Sequence, residues 1–306
     1  MDTLIKFDRR LDSVLCCPLC KGSLDSAGGY YSCADCNSRY VETATFGGRT
    51  YDFRIQRPAY LTPASASRWA KFQAVYEKVA DDVSACDNLQ GYLDEIESVR
   101  ELYEGEFQLT GTVLDIGGYQ GRLRHYLDEG KVDLYISADP YLESFRDAVK
   151  PNLRSAYPCL SVPCNFVPCH AEHLPFAANC FDWVHLRSVV DHLADPYLAL
   201  KEACRVLKPG GQMLIGLSIM ENLSAKKSSL MGRLRQKVKN AGILATIKAL
   251  AGKLLSDDHN FRLTQVELVD LISTAGFQIE KERWQKPPYA HTLYISARKQ
   301  SVAAGR

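Results

Sequence analysis

The sequence predicts an α/β protein: a seven-stranded, mostly parallel sheet with helices on both faces, joined to a small amino-terminal metal-binding module. Residues 112–121 read as strand, glycine turn and helix start. Strand and helix signals then alternate as far as residue 218 and resume after 264. Two Cys-x-x-Cys pairs stand near the amino terminus.

Val113, Leu114 and Ile116 form a short apolar run, the length of a buried strand. Gly117, Gly118 and Gly121 mark a turn that needs unusual dihedrals or close backbone approach. Arg122 to Glu129 is expected to open a helix with Leu123, Tyr126 and Leu127 on one face. Strand, glycine turn and helix start together make a cradle for a cofactor. A dinucleotide pyrophosphate calls for G-x-G-x-x-G, but this chain has Gly117-Gly118-x-x-Gly121 with Asp115 at the strand end. A carboxylate there repels a pyrophosphate and favours a cation such as S-adenosyl-L-methionine (SAM). The run Val132 to Ala138 ends in Asp139, eighteen residues after Gly121, where an acid suits the two hydroxyls of a ribose.

At these residues the chain resembles the class I SAM-dependent methyltransferases of the UbiE-like type, whose first motif reads D-x-G-x-G-x-G. Tyr119 stands at the usual middle glycine. Further matches are Cys169-His170-Ala171-Glu172-His173-Leu174-Pro175-Phe176, Phe181-Asp182-Trp183-Val184 and Val189-Val190-Asp191-His192-Leu193-Ala194-Asp195-Pro196. The resemblance implies a Rossmann-like sheet. It also implies cofactor contacts from Asp115, Gly117, Gly118, Tyr119, Gly121, Asp139, Pro140, His170, Ala171, Glu172 and Arg187. His170 takes the place of the family's adenine-loop aspartate, and Asp191 replaces a glutamate. The alternative is a tight turn in an α/β protein without cofactor.

A chain of 306 residues has room for one large domain and a small one. Its 46% apolar and 24% charged residues fit an ordinary globular protein. A net charge of +1 argues against a general nucleic-acid binder. No run of 18 apolar residues suggests a membrane span, and Met-Asp-Thr-Leu-Ile-Lys lacks the pattern of a secretory signal. The eleven cysteines are therefore expected as thiols or metal ligands in a cytoplasmic protein.

Residues 1–57 form the expected module. Cys17, Cys20, Cys33 and Cys36 have the spacing of a zinc ribbon, with free thiols as the alternative and Cys16 as a competitor of Cys17. Four thiolates leave no open coordination position, so this zinc is read as structural. The module's basic and acidic residues nearly balance, a poor footprint for RNA. Packing or substrate capping is the expected role.

Residues 58–110 read as a helical cap, with Gln73 and Tyr76 as pocket candidates. Residues 111–300 hold the proposed catalytic domain. Expected strands are 112–117, 132–138, 164–169, 181–187, 211–218, 277–284 and 291–298. Asp191 and His192 follow the fourth strand, where an Asp-His pair suits proton removal from an acceptor; helix capping by Asp191 is the alternative. Cys159, Cys164 and Cys169 read as buried thiols rather than a second metal site.

Residues 219–258 form a basic amphipathic insertion. It has the makings of a lid over an anionic acceptor, a peripheral membrane contact through 222–255, or a dimer face. His259 and Arg262 are further site candidates, and Thr264 with Glu267 reads as a capping box. The expected function is O-methylation of a small or carrier-linked metabolite, such as a saccharide. RNA methylation guided by the ribbon and a silent SAM-fold binding partner are the alternatives.

Overall fold

Apolar residues on successive positions of one strand require cover on both faces of the sheet. The computed structural model of the chain shows that cover. It describes residues 3–55, 87–219, 262–287 and 291–300, and two isolated positions, 70 and 74. The remainder of 58–86, with Gln73 and Tyr76, and the insertion from 220 onward, with His259, lie outside the described residues.

The main sheet comprises β1 (Ile5–Lys6), β6 (Gly111–Ile116), β7 (Val132–Ala138), β8 (Cys164–Val167), β9 (Phe181–Arg187), β10 (Leu207–Ser218), β11 (Phe277–Trp284) and β12 (Thr292–Lys299). Their order is β1-β8-β7-β6-β9-β10-β12-β11, and β12 alone runs antiparallel to the other seven. Leu114, Ile116, Val184 and Leu186 pack with α2 (Pro196–Val206) and α3 (Gln265–Thr274). Val113 and Tyr135 pack on the other face with Val99 of α1 (Leu89–Arg100) and Leu102 and Tyr103 of the π-helical turn that follows. Helices thus cover both faces, and the capping box at Thr264 and Glu267 is present.

Two expectations change. The sheet has eight strands, not seven, because Ile5–Lys6 pairs in parallel with β8, which would otherwise present unpaired backbone groups along an edge. The helix expected from Arg122 to Glu129 is a 3-10 turn, Arg122–Tyr126, ended by extended Leu127.

The amino-terminal module is an antiparallel sheet of β2 (Leu24–Ala27), β3 (Tyr30–Cys33), β4 (Arg39–Thr45) and β5 (Gly48–Tyr51). Leu11, Leu15, Tyr31 and Phe53 share one apolar cluster with Leu174 and Phe176 of the main domain. Leu15 also bridges Phe176 through the backbone.

Candidate active site

The turn after β6 is built by close approach. Gly117 and Gly121 hold φ of +68° and +77°, and an added Cβ at Gly117 would lie 2.2 Å from Val189. At Gly118 a Cβ would meet the Ser137 hydroxyl at 2.6 Å and Asp115 at 2.8 Å. Tyr119 adopts φ +49°, a left-handed conformation that costs a side-chain-bearing residue roughly 1–2 kcal/mol. Ser137 donates to the Tyr119 carbonyl at 2.8 Å, and the Tyr119 ring stacks on Tyr141 at 5.9 Å.

Asp115 is buried, and both of its oxygens are engaged. Tyr135 donates its hydroxyl at 2.5 Å, and His185 Nδ1 lies 2.7 Å away. Asp115 and His185 are register partners on β6 and β9, so pleat alternation brings them to one face. Accepting from Nδ1–H fixes the tautomer, and Nε2 then accepts the Tyr103 hydroxyl at 2.8 Å. Burial pushes the Tyr103 and Tyr135 hydroxyls well above the usual phenol range. Asp115 therefore acts on its surroundings through a hydrogen-bonded chain.

That chain lines a cavity of about 200 Å³. Its walls are Glu95, Tyr103, Asp115, Gly117, Gly118, Tyr119, Arg122, Leu123, Tyr126, Tyr157, His185, Arg187 and Ser188. Glu95 reaches Arg187 at 3.0 Å and Arg122 at 3.4 Å. Burial works to raise the Glu95 pKa, but the two guanidinium groups hold it below its ordinary value. Two carboxylates and two guanidinium groups thus share the cavity, with tyrosines between them.

Asp139, buried at the end of β7, accepts from the Tyr119 N–H at 3.2 Å and the Tyr141 N–H at 2.9 Å. These two N–H groups hold the carboxylate at the carboxyl end of β7, beside the glycine turn. The Pro140 carbonyl accepts from Arg54 at 3.1 Å.

His170 Nδ1 accepts the Ile55 N–H at 3.1 Å, so this nitrogen serves the amino-terminal module. Ala171 is buried beside it. Glu172 accepts from the Ala194 and Asp195 N–H groups at 2.9 and 3.2 Å, so it braces the loop after β9. Burial raises its pKa.

Asp191 and His192 lie on that loop, 3.9 Å apart, and neither lines the cavity. The helix cap expected as an alternative for Asp191 belongs to Asp195, which accepts from the Leu198 N–H at 2.9 Å.

The sulfur atoms of Cys17, Cys20, Cys33 and Cys36 all lie within 4.8 Å of one another. Tetrahedral zinc with bonds of about 2.3 Å requires sulfurs about 3.8 Å apart, so the four thiols fit the ion. Cys16 stays outside the cluster and donates its N–H to the Pro175 carbonyl. Among the described residues no other group of this kind is present, which leaves Cys159, Cys164 and Cys169 as thiols.

Glu95, Tyr103, Arg122, Tyr157 and His185 were not singled out in the sequence. His185 carried one usable signal: a titratable residue inside an apolar strand, on the same alternation as Asp115. Glu95 and Tyr103 depend on how α1 and the turn after it cross the sheet.

A mostly parallel sheet with this strand order, a glycine turn after its central strand and an acid ending the next define the class I SAM-dependent methyltransferase fold. The family model described as "Methyltransferase domain" matches residues 114–215. SAM is the cofactor of this class. The ubiquinone/menaquinone biosynthesis C-methyltransferase UbiE of Haemophilus ducreyi is 32% identical over 117 residues, 37% of this chain and 44% of that protein. The UbiE of Klebsiella pneumoniae subsp. pneumoniae is 30% identical over 175 residues, covering 55% of this chain and 66% of the relative. The chain thus spans from under half to about two thirds of these curated relatives. Among solved structures, a chain from the complex of the Haloferax volcanii Trm112 methyltransferase activator with a methyltransferase aligns at a TM-score of 0.49. That alignment is 17% identical and covers 72% of this chain and 97% of the other.

Proposed function

We propose that the protein is a SAM-dependent methyltransferase that O-methylates a small or carrier-linked biosynthetic intermediate, such as a saccharide. The carrying observation is the cavity under the glycine turn, where Glu95 and Asp115 face Arg122 and Arg187. Two negative and two positive charges suit a zwitterionic amino-acid end, such as the methionine part of SAM, and not a pyrophosphate. In this reading Asp139 takes the ribose hydroxyls, and Ala171 and His170 hold the adenine edge.

When bound, the cofactor supplies an activated methyl on sulfonium. The protein's part is then to orient the acceptor and exclude water. Where the acceptor must lose a proton, the Tyr103–His185–Asp115 chain offers one route. His192 with Asp191 on the β9 loop, and His259, remain alternative bases. The curated relatives are named as C-methyltransferases, which favours a carbon acceptor as the second reading.

In this reading residues 1–57 are a zinc module, 58–110 a cap, and 111–300 the catalytic domain with a basic acceptor lid in 219–258. We place the protein in the cytoplasm. No described helix is long and apolar enough to cross a membrane.

The test is to incubate the protein with cell extract and SAM bearing a ¹³C methyl group. The carbon shift of any labelled product separates O- from C-methylation, and label in RNA would replace this reading with the nucleic-acid one. Calorimetry that detects no binding of SAM or S-adenosylhomocysteine would leave a silent binding partner.

A further inference from the structure

The amino-terminal module grips the main domain at the loops that follow β7 and β8. The Thr50 hydroxyl donates to the Phe166 carbonyl at 2.6 Å, and the Phe53 N–H to the Pro168 carbonyl at 2.9 Å. The Arg54 guanidinium donates to the Pro140 carbonyl at 3.1 Å, and the Ile55 N–H to His170 Nδ1 at 3.1 Å. Arg54 is itself held by Asp52 at 2.9 and 2.7 Å. One run, 50–55, therefore holds both the loop that follows Asp139 and the loop that carries His170 and Ala171.

The same run is tied to the thiol cluster. Cys17 Sγ lies 3.1 Å from the Tyr40 hydroxyl, and the Tyr40 and Phe53 rings are 5.1 Å apart. The Asp52 N–H donates to the Val41 carbonyl of β4 at 3.0 Å.

We propose that residues 50–55 are a positioning element of the crevice, with Arg54 and Ile55 as its positioning residues, and that zinc at the four cysteines and SAM in the crevice bind cooperatively. The inference rests on the proposed function, because it takes these two loops as the ribose and adenine loops. Both loops leave the carboxyl ends of parallel strands, where ligands of open α/β sheets bind. Their carbonyl and imidazole acceptors are fixed by donors of the module. A module of this size draws much of its folding free energy from its metal, so metal loss releases those donors. Linkage makes the effect reciprocal: each ligand tightens the other by the same factor.

The experiment uses the full chain with zinc content verified, and measures S-adenosylhomocysteine affinity by calorimetry. Removing the metal is expected to weaken binding by roughly tenfold. Arg54→Ala, with zinc retained and the melting temperature checked, is expected to weaken it by a similar factor. Arg49→Ala, which removes an ion pair to Glu42 inside the module, is expected to leave it unchanged. In the reciprocal arm, saturating S-adenosylhomocysteine slows zinc transfer to a chromogenic chelator. A zinc-loaded chain that does not bind S-adenosylhomocysteine overturns the proposed function and this inference together. A loaded chain that binds it no better than the metal-free and Arg54→Ala forms overturns the inference alone.

Discussion

Acid should weaken the fold through His170. Burial lowers its pKa from 6.5 to about 4, with Arg54 and His173 acting the same way and Asp52 opposing them. Its Nδ1 accepts the Ile55 N–H, a role that protonation ends. Because the folded pKa lies below the unfolded one, the unfolded chain takes up the proton first. The stability contributed by the neutral ring is complete above pH 6.5 and is lost as pH falls toward 4. Linkage between pH 7 and pH 5 gives about 2 kcal/mol for these two values. His170→Asn retains an acceptor and removes the titration. Urea unfolding at the two pH values should show wild type losing about 2 kcal/mol more than the variant. Carboxylates such as Glu172 titrate in both proteins and cancel in the difference. Equal losses in wild type and variant would refute the reasoning.

Other perturbations address the crevice and the metal. Gly118→Ala places a methyl against Asp115 and Ser137, and should cost about 1–3 kcal/mol in urea unfolding and remove S-adenosylhomocysteine binding. Asp139→Asn keeps an acceptor for the loop N–H groups but gives up the charge, so S-adenosylhomocysteine affinity should fall about tenfold, a loss of about 1.4 kcal/mol. An unchanged dissociation constant would remove the ribose role of Asp139. Metal analysis of the purified chain should find about one zinc per molecule, lost in Cys33→Ser; a folded wild type without zinc would contradict the ribbon.

The strands were legible because period and length are local properties. Val132–Ala138, Phe181–Arg187 and Phe277–Trp284 begin and end where the apolar pattern does. The thiol cluster was legible from spacing alone. Asp115 was legible as an important acid, but its partners were not. Tyr135 and His185 come to it from neighbouring strands, and which strands neighbour β6 is a property of topology. Glu172 and His170 matched a family pattern, yet their side chains answer to residues 194, 195 and 55. Motif matching fixes position along the chain and says nothing of which way a side chain turns.

The pairing of Ile5 with Cys164 has a kinetic consequence during synthesis. As the chain is made, this strand cannot find its neighbour until the whole stretch between them has emerged. Contacts so distant along the chain close slowly, because the intervening polypeptide must give up its freedom before the pairing rewards it. Until then Leu4 and Ile5, both buried at the end, remain open to chaperones and to other nascent chains.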